Sequence, residues 1–340
     1  MQPKKERRQA STARKITVKN EGGTIIVRKI VVIVLVLALA LAFTAPTASA
    51  VQPLGNPGKT TPNDLPVMQL PGELSAGGPS SLMGNPHGPD WTPPGQDKKP
   101  PPEPVANKWA VVIGIADYQG RQNDLWHPDE DAKEMKEALI NDYGFADDNI
   151  KILLNRKATA SAILDAIDWL AFNEDENSTV VFFFSGHGYR DADSAGWDSD
   201  AEVDVYDEMI VSHDMYGLPD GRLREKFSNF ETQKFALIFG SCYSGGMFDD
   251  PDVDLQASGR VVVSACRADQ SAWDYLLLGN TLFGYYFIDE GILQAKAETD
   301  VPADGVSMEE ALAYAYPLVT AEEPESEPQI YDGYEGELIP

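Results

Sequence analysis

Cysteine is nearly missing from this sequence, with two thiols, Cys242 and Cys266, in 340 residues. Two cysteines make neither a disulfide framework nor a four-cysteine zinc site, so packing has to hold the fold. Positive charge is scarce as well. Lys and Arg number 27 against 54 Asp and Glu, a formal charge of −27. That is the wrong sign for gripping a phosphate backbone, and nucleic acid is not expected as a partner. Cations and basic peptides suit such a surface better. The G-x-S-x-G pattern is absent too, and with it the nucleophile elbow of an α/β-hydrolase esterase. Apolar material is plentiful at 43 % of residues, enough for one sizeable core and incompatible with a wholly disordered chain.

The basic residues cluster at the amino terminus. Residues 1–29 carry nine Lys or Arg against two acids, and an unbroken run of fourteen apolar residues, Ile30 to Phe43, follows. Closed by Thr44-Ala45-Pro46-Thr47 and the small triplet Ala48-Ser49-Ala50, this segment reads as a secretory signal cleaved after Ala50. The expected location is therefore secreted or cell-envelope. Left uncleaved, the run would be the chain's membrane anchor, although a spanning helix needs about 20 apolar residues. Without residues 1–50 the chain has 18 bases against 52 acids, a net −34. That balance fits calcium sites, a basic substrate or a high-salt medium. From Val51 to Asn107, 14 of the 24 prolines and 8 glycines fall within 57 residues, so this stretch reads as a disordered tether. Pro93 to Pro104 should be extended and outside any core. The folded domain is expected over 108–340.

Within it, continuous β-branched or aromatic runs predict strands at Lys108–Ile115, Asn149–Leu154, Thr179–Phe184, Lys234–Phe239 and Arg260–Ala265. Helical spacing places Ala132, Met135, Ala138 and Leu139 on one stripe behind a cap at Asp129, and Ile163, Ile167 and Leu170 on another opened by Thr159. Further helices are expected near Gly221–Phe230, Thr281–Gln294 and Ser307–Val319. This alternation predicts an α/β fold, a mostly parallel central sheet with helices on both faces. Ligands of such sheets bind beyond the carboxyl ends of the strands.

Two strand ends carry unusual chemistry. The third predicted strand runs into Ser185-Gly186-His187-Gly188 and the fourth into Gly240-Ser241-Cys242-Tyr243-Ser244-Gly245-Gly246. A thiol is a nucleophile as thiolate, and an adjacent imidazole can take its proton, so Cys242 and His187 suit covalent catalysis. The flanking glycines would let a substrate backbone approach, with the N–H groups of Gly188 and Cys242 receiving an oxyanion. Cys266 lacks such company and reads as a buried small hydrophobe. A Cys242–Cys266 disulfide would silence the nucleophile.

KWAVVIGIADY, DEDAKEMKEAL, SGHG, DEMIVSHD, GSCYSGG and GRVVVSACRADQSAWDY occur in the order found in caspase-like cysteine peptidases. Over about Lys108 to Gly291 the chain resembles metacaspases and their prokaryotic relatives, and CYSGGMF is similar to legumain-type peptidases. The resemblance implies a caspase-like sandwich, endopeptidase activity on a peptide or protein substrate, no organic cofactor, Cys242 as nucleophile and His187 as general base and acid. It also implies a preference for Arg or Lys at the cleaved position. Here the sequence departs from the family, because the acid two residues before the nucleophile is replaced by Gly240. Asp131 matches a family pocket acid, and Asp274 is a second substrate-binding candidate. If the basic preference holds, Lys98, Lys99 and Lys108 are candidate self-processing sites.

Between the two motifs, residues 191–208 hold eight carboxylates in 18 positions. Asp191, Asp193, Gly196 and Glu202 match EF-hand positions, but Ala195 does not and no flanking helices are evident. A looser calcium site is what the resemblance implies, with Asp207, Asp220 and Asp249 as candidate ligands. The competing readings are a solvated acidic loop, a catalytically silent caspase-like binding module, and a calcium-binding envelope protein.

Overall fold

A computed structural model of the protein describes residues 68–69, 107–192, 206–249, 255–300 and 302–340. The apolar run 30–43, the Ala50 junction, the Pro93–Pro104 stretch and acids 193–204 of the acidic loop lie outside the described residues. In chain order the elements are β1 Met68–Gln69, β2 Lys108–Gly114, α1 Pro128–Asn141, β3 Ile150–Leu154, α2 Ala160–Asn173, β4 Thr179–Ser185, β5 Gly188–Ala192, β6 Tyr206–Val211, β7 Tyr216–Pro219, α3 Asp220–Phe227, β8 Phe235–Gly240 and β9 Arg260–Ser264. There follow α4, one α turn (Leu282–Gly284) running into a π-helix (Tyr285–Leu293), then α5 Met308–Glu322 and β10 Gln329–Asp332.

The main sheet has the order β10-β9-β8-β4-β2-β3. Its strands are parallel except β10, which closes the β9 edge antiparallel. The central strands β4 and β8 are buried along their whole length, as strands covered on both faces must be. Alternate residues then serve two cores. Val180, Phe182 and Phe184 pack with α2 and α3, while Val181 and Phe183 pack with α1, α4 and α5. The expected α/β architecture is the one observed.

Thr159 caps α2 by accepting from the Ala162 N–H, and Ser307 forms a capping box with Glu310 on α5. Such caps contribute about 1 kcal/mol each. Asp129 does not cap α1. His127 holds that position without a side-chain capping bond, Pro128 occupies the first turn, and Asp129 follows inside it. Proline is favoured there because its missing N–H would have no helical partner.

A second, antiparallel sheet has the order β1-β7-β6-β5. Sequence reading passes over it as loop, since its strands are short and β5 (GYRDA) shows little apolar alternation. Its β1 belongs to the tether: Met68 pairs with Gly217 and Gln69 with Tyr216, so these two residues depart from the expected disorder. At the other end, the tail after α5, unreadable in sequence, supplies β10, buries Leu338, and lets Lys108 Nζ donate to Pro340 O at 2.8 Å. Lys108, one of the candidate self-processing sites, is the first residue of β2 and pairs with Thr179. Among the described residues no helix is long and apolar enough to cross a membrane.

Candidate active site

In the main sheet Ser185 of β4 pairs with Gly114 of β2 on one side and Gly240 of β8 on the other. His187 lies two residues beyond Ser185, and Cys242 two beyond Gly240. Neighbouring strands stand about 4.8 Å apart, so the register that aligns β4 with β8 also delivers the imidazole and the thiol to one rim. Both line a single cleft of about 320 Å³, together with Gly240, Trp273, Asp274 and Thr281.

His187 is 2 % exposed. Its Nε2 lies 2.8 Å from the Asn123 carbonyl oxygen. A carbonyl can only accept, so Nε2 carries the hydrogen and Nδ1 keeps its lone pair. The His187 main-chain N–H donates to Tyr118 Oη at 2.7 Å, and the two rings stand 4.7 Å apart. Burial pushes the imidazole below its ordinary value against the opposing hydrogen bond to Asn123, which leaves a neutral base at pH 7. Tyr118 is driven far up by burial and stays a phenol. Asn123 and Tyr118 escaped the sequence reading. A backbone carbonyl leaves no residue-type signal, and Tyr118 is one tyrosine among thirteen.

Cys242 is nearly enclosed, with Sγ 3.6 Å from the Ala272 carbonyl oxygen. Gly188 lies hard against it: a Cβ at 188 would fall 1.9 Å from the Cys242 oxygen, so only glycine fits. The two peptides expected to hold an oxyanion therefore adjoin. Both cysteines are free thiols. Cys266 is buried, its thiol pushed up to about 12 mainly by that burial, and behaves as the inert partner.

The candidate substrate acids occupy different levels. Asp274 lines the cleft, and its Oδ2 accepts from the Trp126 N–H. Its Oδ1 is buried and accepts no hydrogen bond among the described residues. Burial raises this carboxyl to about 6, opposed first by the Trp126 N–H. Asp131 is 1 % exposed and lies outside the lining. Its carboxylate accepts from Ser185 Oγ at 2.7 Å, Thr281 N at 3.1 Å and Thr281 Oγ1 at 2.7 Å. It thus fixes Thr281, which does line the cleft. Trp273 Nε1 is also buried with no acceptor among the described residues. Beside Gly240 there is little room, since a Cβ there would meet Ser185 Oγ at 3.3 Å.

Of the candidate calcium ligands, Asp207 and Asp220 are buried and Asp249 is exposed. Among the described residues no group of three His, Cys, Asp or Glu side chains could hold a metal ion. Asp193, Gly196 and Glu202 fall outside them. Of the other histidines, His127 Nε2 meets the Leu276 oxygen and His213 Nδ1 the Asp117 oxygen, which are structural contacts.

A family model described as "Caspase domain" matches residues 107–310. The chain is 32 % identical over 159 residues to metacaspase-4 of Arabidopsis thaliana, covering 45 % of this chain and 37 % of that protein. It is also 32 % identical over 153 residues to metacaspase-1 of Schizosaccharomyces pombe, covering 42 % and 35 %. The matched stretch is thus little more than a third of these relatives' length. Among solved structures, caspase-1 from Spodoptera frugiperda overlays with a TM-score of 0.46 at 10 % identity, covering 70 % of this chain and 90 % of that one.

Proposed function

The chain belongs to the caspase-domain family, and from that premise we propose that it is a cysteine endopeptidase with Cys242 and His187 as its catalytic dyad. Nδ1 of His187 accepts the Sγ proton, and the thiolate attacks the scissile carbonyl. The resulting oxyanion is received by the main-chain N–H groups of Gly188 and Cys242. Collapse breaks the C–N bond, the imidazolium protonates the leaving amine, and a thioester remains on Cys242. Water, deprotonated by the same imidazole, then adds to the thioester, releasing the acid product and the thiol. The cycle balances without an organic cofactor. The observation that supports it most is the Ser185–Gly240 register, with His187 and Cys242 on one cleft.

The same proposal includes a basic residue at the cleaved position. With Gly240 in place of the family acid, the buried Asp274 Oδ1 is the carboxylate available to a guanidinium or ammonium, which needs such a partner to offset its desolvation. Asp131 contributes through Thr281. Calcium enters as a regulator alone, acting on the buried Asp207 and Asp220, with the exposed Asp249 the weakest of the three candidates. Secretion or an envelope location, with release after Ala50, is proposed from the amino-terminal pattern. Sequencing the amino terminus of the exported protein checks it.

The deciding experiment is labelling of the protein with a peptidyl acyloxymethyl ketone bearing Arg, and separately Asp or Asn, with and without calcium. Labelling at Cys242 by the Arg probe is expected. Absence of labelling with every probe would favour the silent binding module, and preference for the Asp or Asn probe would remove the assignment of Asp274.

A further inference from the structure

The segment carrying His187 and the one carrying Cys242 are joined by a side chain as well as by register. Arg190 lies on β5, three residues beyond His187, with its guanidinium carbon 4.6 Å from the Tyr206 ring centroid and 4.8 Å from that of Tyr243. Its Nη1 donates to the Ala268 oxygen at 3.1 Å. One planar cation therefore touches the start of β6, the residue that follows the nucleophile, and the loop after β9. The same loop holds Tyr243 a second time, since the Tyr243 N–H donates to the Gln270 oxygen at 2.9 Å.

The backbone at Tyr243 makes this contact informative. With φ 60° and ψ 12° it is left-handed, a conformation that glycine or asparagine adopts more readily than an aromatic residue. That strained turn reverses the chain directly after Cys242 and starts the short helical turn Ser244–Phe248. A ring there has its face on a guanidinium, an attraction that lysine's point charge reproduces less well than arginine's flat group. Arg190, Tyr206 and Tyr243 are absent from both apolar cores and from the partly buried residues packed against them. The stack therefore lies outside those cores.

We propose that Arg190 is a positioning residue for the nucleophile: stacked between Tyr206 and Tyr243, it locks the turn after Cys242 in register with His187. The role rests on the peptidase reading above. Loss of the stack leaves both dyad residues present but frees the turn that aims the thiol. Turnover should therefore suffer while binding of a peptide, which uses the Asp274 side of the cleft, does not.

The test uses the full chain and the variants Arg190→Ala, Arg190→Lys, Tyr243→Phe, Tyr243→Ala and the double alanine variant. Turnover of an Arg-terminated peptide substrate, thermal midpoint, and hydrogen exchange of the peptide spanning Cys242–Gly246 are measured for each. Arg190→Ala is expected to lower kcat about tenfold or more, as a small misplacement of a reacting group does. KM should stay within about twofold, the thermal midpoint should hold, and exchange should rise at 242–246 but not in β4. Tyr243→Ala should match it, and the double variant should lose no more than either single, because one contact is removed. Tyr243→Phe should keep activity, and Arg190→Lys should recover part of it. Unchanged exchange at 242–246, unchanged kcat, or losses that multiply in the double variant would each overturn the proposal. An inactive parent chain would overturn the peptidase reading and this role together, and it is recognised separately because it is seen before any variant is made.

Discussion

Ser185 and Gly240 face each other at the carboxyl ends of β4 and β8, and the chain leaves both strands at the same level. A parallel ladder cannot slip by one residue without turning every buried side chain to the wrong face. The phenylalanines of β4 and the apolar run of β8 therefore lock the height at which His187 and Cys242 emerge. Core packing, in this sense, sets the geometry of the proposed dyad.

The first expectation separates the two thiols. Cys242→Ala should reduce peptide hydrolysis by about a thousandfold or more, and His187→Ala should match it, since members of one catalytic unit fail together. Cys266→Ala should leave turnover within about twofold, because its thiol is held protonated by burial. Initial rates on a fluorogenic Arg-terminated peptide check all three.

Asp274 titrates where enzyme assays are run. Its carboxyl is raised to about 6, so below that pH it takes a proton and loses the charge that would hold a basic side chain. KM for an Arg-terminated peptide should rise as pH falls through about 6 in the parent chain. Asp274→Asn should cost about tenfold in kcat/KM, equivalent to about 1.4 kcal/mol, and its KM should no longer respond to pH in that range. A KM–pH profile for the two proteins checks this.

Glu134 gives a stability prediction of the opposite pH sense to ordinary acid denaturation. Burial and the nearby Asp289 charge raise its carboxyl to about 8, against the hydrogen bond from Asn280. The folded chain thus holds a proton that the unfolded one releases near pH 4, and stability declines as pH rises from there through about 8. Glu134→Gln keeps the acceptor for Asn280 and removes the ionisation. Its thermal midpoint should exceed that of the parent above pH 8, with the advantage gone near pH 4. His187 acts the other way: its lowered value means that the unfolded chain binds the proton first as pH drops through the ordinary histidine range, about 6.5, and stability falls on the acid side.

Asp131→Ala should be a folding mutation before it is a kinetic one. It orphans Ser185 Oγ and both Thr281 donors in a fully buried place, a loss of about 3 kcal/mol or more. A urea midpoint measures it. Asp131→Asn, which keeps the shape and one of the two acceptor oxygens, should lose less stability.

Self-processing offers a last check. Lys98 and Lys99 sit in the Pro-rich tether ahead of β2, whereas Lys108 is tied by its Nζ to the Tyr143 and Pro340 oxygens. Mass mapping of purified protein should find cleavage after Lys98 or Lys99 and not after Lys108, and Cys242→Ala should leave the tether whole.

The strand-and-helix alternation, the helices on both faces of the sheet and the two chemistry-bearing strand ends were legible in the residues, because buried parallel strands demand continuous apolar runs and amphipathic helices demand three-and-four spacing. SGHG and GSCYSGG were readable for the same reason, each standing where an apolar run stops. The small antiparallel sheet was not, since β5 and β7 are too short to carry a period and part of the acidic run covers the connection from β5 to β6. Nor was the placing of the two candidate acids: Asp131 and Asp274 look alike in sequence, yet Asp131 is satisfied by Ser185 and Thr281 outside the cleft lining, while Asp274 lines the cleft with one buried oxygen that accepts no hydrogen bond among the described residues.

What the sequence alone determined was which groups could do chemistry and on which kind of fold, since both follow from residue type and local period. Tertiary structure decided the partners: the Asn123 carbonyl that leaves His187 Nδ1 basic, the Arg190 stack on Tyr243, and the β10 strap across β9. Each joins positions far apart in the chain, and contacts of that range are set by packing and register rather than by any neighbour in sequence.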